Sequence, residues 1–220
     1  MEIEQAIARL AMQSAVKSAV PGFPVQSGSP GDGLLPGMEP ILITGSVINH
    51  APNLASCALL ILDGLQPTGA TTLILDQNHI LGGLGAAAAI NPVMAVQVLD
   101  SNSFMHLGTV ISPVAPVRPG TPILQLKIVY ENGAEKSLQV KQGVLEALPL
   151  PPGQKAHLTL QPLHRADVGL GGPGHGGGID VRGGAFGVII DARGRPLVLP
   201  EDRARRSELY KKWLWTLGAA

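Results

Sequence analysis

The chain has 220 residues, 45% of them hydrophobic and 15% charged, which is enough apolar material for a real core and too much for a disordered protein. Sixteen Lys and Arg balance sixteen Asp and Glu, so no basic excess exists to neutralise phosphates, and nucleic acid is not an expected partner. Cys57 is the single cysteine, which excludes an intrachain disulfide and fits a reducing, cytoplasmic setting.

Met1-Glu2-Ile3-Glu4 lacks the basic start and apolar run of a signal peptide. Periodicity predicts a helix over residues 2–20, with Ile3, Ile7, Leu10 and Ala11 on one stripe. Residues 21–40 are loaded with Gly, Pro and Ser and read as a loop with the length of a flap. Pro40-Ile41-Leu42-Ile43-Thr44 then reads as a short buried strand running into the turn Gly45-Ser46. Residues 54–65 are apolar nearly all round, as a deeply buried helix is.

Thr71-Thr72-Leu73-Ile74-Leu75-Asp76 is a second buried strand, followed by a helix of small residues over 80–90. Residues 82–99 carry no charge. They are barely membrane length and are broken by Asn91-Pro92 and Gln97, so they predict two short buried helices rather than a span. Strand, helix, strand, helix in this order implies a parallel α/β layer.

Beyond residue 112 the pattern becomes β-rich. Residues 122–130 and 135–141 flank Asn132-Gly133, a hairpin signal in which both turn positions take positive φ. Residues 144–148 and 155–160 are further strands, and 185–190 with 197–199 suggest a hairpin around Asp191-Ala192-Arg193-Gly194. A helix over 201–217 closes the chain, with Leu209, Trp213 and Leu217 on one face and Trp215 in the same helix. Such a helix docks onto a core or a partner. The expected organisation is an α/β segment over 1–112, a β-rich domain over 113–200 and a C-terminal helix over 201–220.

The strand-turn-helix Ile43-Thr44-Gly45-Ser46-Val47-Ile48 is the best candidate site, because a glycine at a strand end lets a ligand approach the backbone. A plain tight turn accounts for the same spacing. Ser46 lacks the flanking glycines of a hydrolase elbow, since Thr44 and Ile48 stand there. Asp76-Gln77-Asn78-His79 is the one compact acid–histidine group, at a strand end where open parallel sheets face ligands; a turn or helix cap accounts for Asp76 and Asn78 equally well. The run Gly169-Leu170-Gly171-Gly172-Pro173-Gly174-His175 lacks the Lys-Ser/Thr of a phosphate loop and reads as a turned surface loop. No histidine or cysteine cluster has metal-ligand spacing. Cys57 reads as a small buried hydrophobe, and the basic group from Arg203 to Arg206 as a solvated helix face.

Residues 41–48 resemble the adenosine-side glycine turn of the acetate-kinase, sugar-kinase, heat-shock-chaperone and actin superfamily. Leu84-Gly85-Ala86-Ala87-Ala88 resembles the small-residue helix that crosses between the lobes in those proteins. An ordered set is similar to the glutamate-mutase-L family: Leu62-Asp63-Gly64-Leu65-Gln66-Pro67-Thr68-Gly69, Leu75-Asp76-Gln77-Asn78-His79, Asp167-Val168-Gly169, Gly184 through Leu197, and Trp213-Leu214-Trp215. The resemblance implies the fold class α/β followed by β-rich, namely a partial actin-like ATPase lobe, a small β domain and a C-terminal helix. It implies an accessory, chaperone-like protein of a cobalamin-dependent mutase, with Gly45, Ser46, Asp76, Asn78 and His79 on the nucleotide side. Ser46 departs from the family's second turn glycine, and no Asp-x-Gly strand turn precedes it. ATP and Mg are therefore expected only where the missing N-terminal lobe is supplied, with that lobe or the mutase as protein partner and no catalytic residue in this chain alone. The reading of a different class is an interaction module that binds no nucleotide.

Overall fold

In the computed structural model, which describes residues 2–23 and 33–219, β1 (Ile41–Ile43) and β2 (Gly69–Leu75) run parallel, with Ile43 beside Leu75. The crossover between them is α2 (Ser46–Asn49) followed by α3 (Leu54–Gly64). Asn53 caps α3 by accepting the Ser56 N–H at 2.8 Å. As the apolar composition predicts, α3 is buried from Cys57 through Gly64. The α/β character of the first segment is present.

The next strand, β3 (Met105–Ser112), is one that periodicity does not mark; it pairs antiparallel to β2 with an irregularity between Leu73 and Ile74. The sheet then recruits strands from far along the chain. β9 (Val188–Asp191) lies parallel to β3, and β6 (Leu145–Leu148) lies antiparallel to β9, giving the order β1-β2-β3-β9-β6. A second sheet, wholly antiparallel, has the order β5-β4-β7-β8 from β4 (Pro122–Tyr130), β5 (Glu135–Lys141), β7 (Lys155–Pro162) and β8 (Gly177–Arg182). The molecule is thus mixed α/β with two sheets and a closing helix, α6 (Arg203–Thr216).

The layers follow from strand alternation. Ile189, Leu73, Leu75 and Val110 face the helix side, where α3, Trp213 of α6 and the α6 C-cap Leu217 cover them. Val188, Ile190 and Ile111 face the other way and pack on Ile123, Leu126, Leu158 and Leu160 of the second sheet. Apolar side chains removed from water on both faces of one sheet supply the main stabilisation, at about 25 cal/mol per Å².

Three sequence expectations change here. The first helix forms as α1 (Glu2–Ala19), running on into a 3-10 turn (Val20–Gly22), but its apolar stripe points outward: Ile3 is 76% exposed and Leu10 is 65%. The face toward α3 instead carries Met12, Arg9 and Gln13, because the buried Asp63 lies beneath it and requires a cation and donors. Residues 82–99 do form two short helices, α4 (Leu81–Ala88) and α5 (Pro92–Leu99), yet only Leu84 and Ala95 within them are buried. Their small core of Leu84, Ala95 and Phe104 leaves the outer faces in solvent. The predicted hairpin over 185–199 stops at β9, since the residues after it are held by buried charge pairs rather than by a second strand. Residues 24–32 of the predicted loop lie outside the described residues.

Candidate functional site

Because β1 and β2 are parallel neighbours, their C-terminal ends bring the two predicted groups together. The chain leaves β1 through Gly45, whose φ of 129° suits glycine, and enters the single turn of α2. A Cβ at Gly45 would meet nothing closer than Ile48 Cδ1 at 4.0 Å, so this turn is open. The chain leaves β2 through Asp76, Gln77, Asn78 and His79, and the Asp76 N–H bonds back to Ile43 O at 2.8 Å.

Asp76 is 1% exposed and its carboxylate is filled by donors. It accepts from the N–H groups of Ile80 at 3.1 Å and Leu81 at 2.9 Å, and from the Thr44 hydroxyl at 3.2 Å. Burial alone would raise its pKa; the Leu81, Ile80 and Thr44 donors outweigh that and hold it below the usual carboxylate range. Asp76 thus satisfies two otherwise open N–H groups at the start of α4, from a position four residues before its N-cap Ile80.

Asn49, which sequence reasoning passes over, joins the two ends. Its Nδ2 donates to Asp76 O at 2.9 Å and lies 3.1 Å from His79 Nε2. Asn49 Oδ1 is buried without a hydrogen-bond partner. His79 takes a positive φ of 54°, and Asn78 Nδ2 donates to Ser103 O at 3.0 Å, tying the loop to the start of β3. Ser46 is exposed, and its carbonyl accepts from His50 Nδ1 at 2.7 Å. Gly45, Ser46, Asp76, Asn78 and His79 thus share one end of the sheet.

What this end can hold follows from those bonds. The open Gly45 turn has room for a flat group to rest on backbone. Two donors at the start of α4, the Ile80 and Leu81 N–H groups, are spent on Asp76, whose carboxylate also accepts from Thr44. Among the described residues no group of three His, Cys, Asp or Glu is close enough to hold a metal ion.

The remaining sequence candidates are structural. Gly169 lies against Gly69 so closely that a Cβ at Gly169 would sit 2.7 Å from the Gly69 Cα, and Asp167 Oδ1 accepts the Gly169 N–H at 2.8 Å. The glycine-rich run closes as a turn, with Gly174 N–H bonded to Ala166 O. Cys57 is 1% exposed, and burial pushes its thiol up to about 11, so it stays protonated and inert at neutral pH. No described helix is long and apolar enough to cross a membrane.

The largest polar feature is one that the sequence reading takes for a turn. Arg193 donates to both oxygens of Asp191 at 2.8 and 2.9 Å, and Arg195 Nη2 reaches Asp191 Oδ2 at 2.7 Å. Arg193 Nη1 also lies 2.9 Å from Asp63 Oδ1, as a charge contact off the hydrogen-bond line. Tyr210 donates to Asp63, and Arg9 reaches both Tyr210 and Asp63. Burial opposes the ionised Asp191, but the two guanidiniums prevail and hold it far below the carboxylate range. This network clamps α1, α3 and α6 to the end of β9, and nothing about it leaves a side chain free to react.

No protein-family model matches this chain, and neither does any curated protein or solved structure.

Proposed function

We propose that this chain is a partner-binding accessory protein, built as one lobe of an actin-type ATPase clamp and acting with a cobalamin-dependent mutase. The glutamate-mutase-L resemblance supplies the class of partner. The observation that carries the reading is the α4–α5 hairpin. It follows directly from the Asp76 turn, contains no charge from Gly82 to Leu99, and exposes Ile90 at 90%, Val93 at 65% and Val96 at 57%. Such a group of apolar side chains in water is a contact surface awaiting its counterpart. In this reading the hairpin and the Gly45 turn meet a second lobe or the mutase, and nucleotide enters only when that lobe supplies the phosphate and metal ligands. The chain alone does no chemistry.

The test is binding of the purified chain to a cobalamin-dependent mutase, followed by sedimentation. A complex should form, and Val93→Asp with Val96→Asp should weaken it at least tenfold, about 1.4 kcal/mol. Absence of any complex, or one indifferent to the double variant, overturns the reading.

A second reading is favoured by the saturated Asp76 carboxylate: an interaction module with no nucleotide function. Calorimetric titration of Mg-ATP into the complex of this chain with the mutase separates the two. Micromolar binding by the complex that neither component shows alone eliminates the second reading.

A further inference from the structure

The second sheet ends on β8, and among the described residues the backbone of β8 bonds to β7 alone. An unpaired edge is a template for another strand. Beside it lies a cleft of about 450 Å³. One wall is β8 itself; the floor is the half-exposed face of β2, where Ala70, Thr72 and Ile74 stand at every second residue, with His106 opposite Ile74. The core shared with the second sheet takes buried residues from β3, β9 and β6 but from β2 only the partly buried Ala70, which is why Thr72 and Ile74 stay half-exposed. An extended chain laid along β8 would hydrogen-bond to the free edge and set alternate side chains on that floor.

Charge selects the occupant. Lys155 and Arg182 stand directly opposite each other across β7 and β8, both exposed, and neither side chain has an anionic partner among the described residues. Like charges in that register repel, so an anion between them is favoured. The neighbouring carboxylates are otherwise engaged. Asp180 Oδ1 lies 2.7 Å from His157 Nδ1; Glu39 accepts from the Thr72 N–H and hydroxyl at 2.6 and 2.5 Å. Glu131 accepts the Lys155 backbone N–H at 3.4 Å and is not paired with its ammonium.

We propose that the cleft along β8 is a docking site for an extended peptide with acidic residues at the Arg182 end, added as a further strand of the second sheet. This site is separate from the α4–α5 hairpin and does not depend on the mutase or nucleotide reading.

The probes are two fluorescent peptides of alternating valine and threonine, one with a glutamate pair at its N-terminus and one at its C-terminus. Anisotropy with the whole chain should show saturable binding by one of them. Replacing the glutamates by glutamine, or Arg182→Glu in the protein, should weaken binding roughly tenfold or more. Methylating the peptide's amides along one edge should abolish binding, and along the other edge should leave it intact. That contrast is peculiar to strand pairing. Arg182 is exposed, and a circular-dichroism melt checks that its variant folds. No saturable binding by either peptide, or binding insensitive to Arg182→Glu and to both methylation patterns, overturns the proposal. A dimer of this chain that Arg182→Glu dissociates would show the edge to be self-occupied, and overturns it equally.

Discussion

Arg193 lies over the ring of Trp213 with its guanidinium carbon 4.6 Å from the ring centroid, while its other contacts are the carboxylates of Asp191 and Asp63. The cation is thus held from one side by an aromatic face and from the other by two buried acids. Neutralising it would leave Asp191 and Asp63 short of a counter-ion inside the fold. Arg193→Ala should cost about 3–5 kcal/mol, the range for breaking a buried ion pair by removing one partner. Urea unfolding of the two proteins measures it; a loss below about 1 kcal/mol would falsify the view that this network secures the helix layer.

The same network sets the response to base and acid. Burial first, then the charge of Asp63, push the Tyr210 phenol above its ordinary value of 10.0. A raised pKa means stability that is present below pH 10.0 and is lost as the pH rises beyond it, because the unfolded chain ionises first. Tyr210→Phe should flatten this alkaline decline in a urea midpoint series. On the acid side, Asp191 and Asp76 are both lowered from 3.8, so their contribution is present above that value and is lost progressively as the pH falls below it toward their lowered folded values.

Asp76→Ala leaves the Ile80 and Leu81 N–H groups at the start of α4 without their acceptor and should cost about 1 kcal/mol or more. The loss should be local. Amide exchange should quicken over 80–88 while α3 and β9 keep their protection. A uniform increase across the molecule would show instead that Asp76 supports the whole sheet.

Cys57 should resist thiol reagents in the folded protein at neutral pH and react at the rate of unfolding. Prompt labelling in native buffer would contradict its place inside α3.

Local chemistry was legible in the sequence wherever neighbours in the chain decide the outcome. The Asn132-Gly133 hairpin forms, although only Gly133 takes a positive φ, 81°, while Asn132 Oδ1 accepts the Ala134 N–H. The α3 helix, the strand ending at Leu75 and the Trp213 face of α6 are likewise where periodicity puts them. Parallel pairing of β1 with β2 brought Gly45 and Asp76 to one edge, as the strand-helix-strand order implies.

What escaped was set by partners distant in sequence. Asp191-Ala192-Arg193-Gly194 has the composition of a turn, and only Asp63, on another element, makes it an ionic core. Periodicity found the first helix but not its orientation, because Asp63 outweighs three apolar side chains in choosing which face turns inward. Asn49 carries no motif at all; its role exists only once two strand ends meet.

The position of β9 also bears on how the chain is made. β9 fills the space between β3 and β6, yet it is the last of the nine strands in the described chain to leave the ribosome. Until then β3 has a bare edge, and the first sheet exists as two fragments with exposed apolar faces. The sheet closes in one late step that spans long sequence separations, which makes folding slow. A nascent chain stalled before residue 188 is therefore the species most in need of a chaperone, and a truncation that reaches back through β9 should harm solubility more than one that stops short of it.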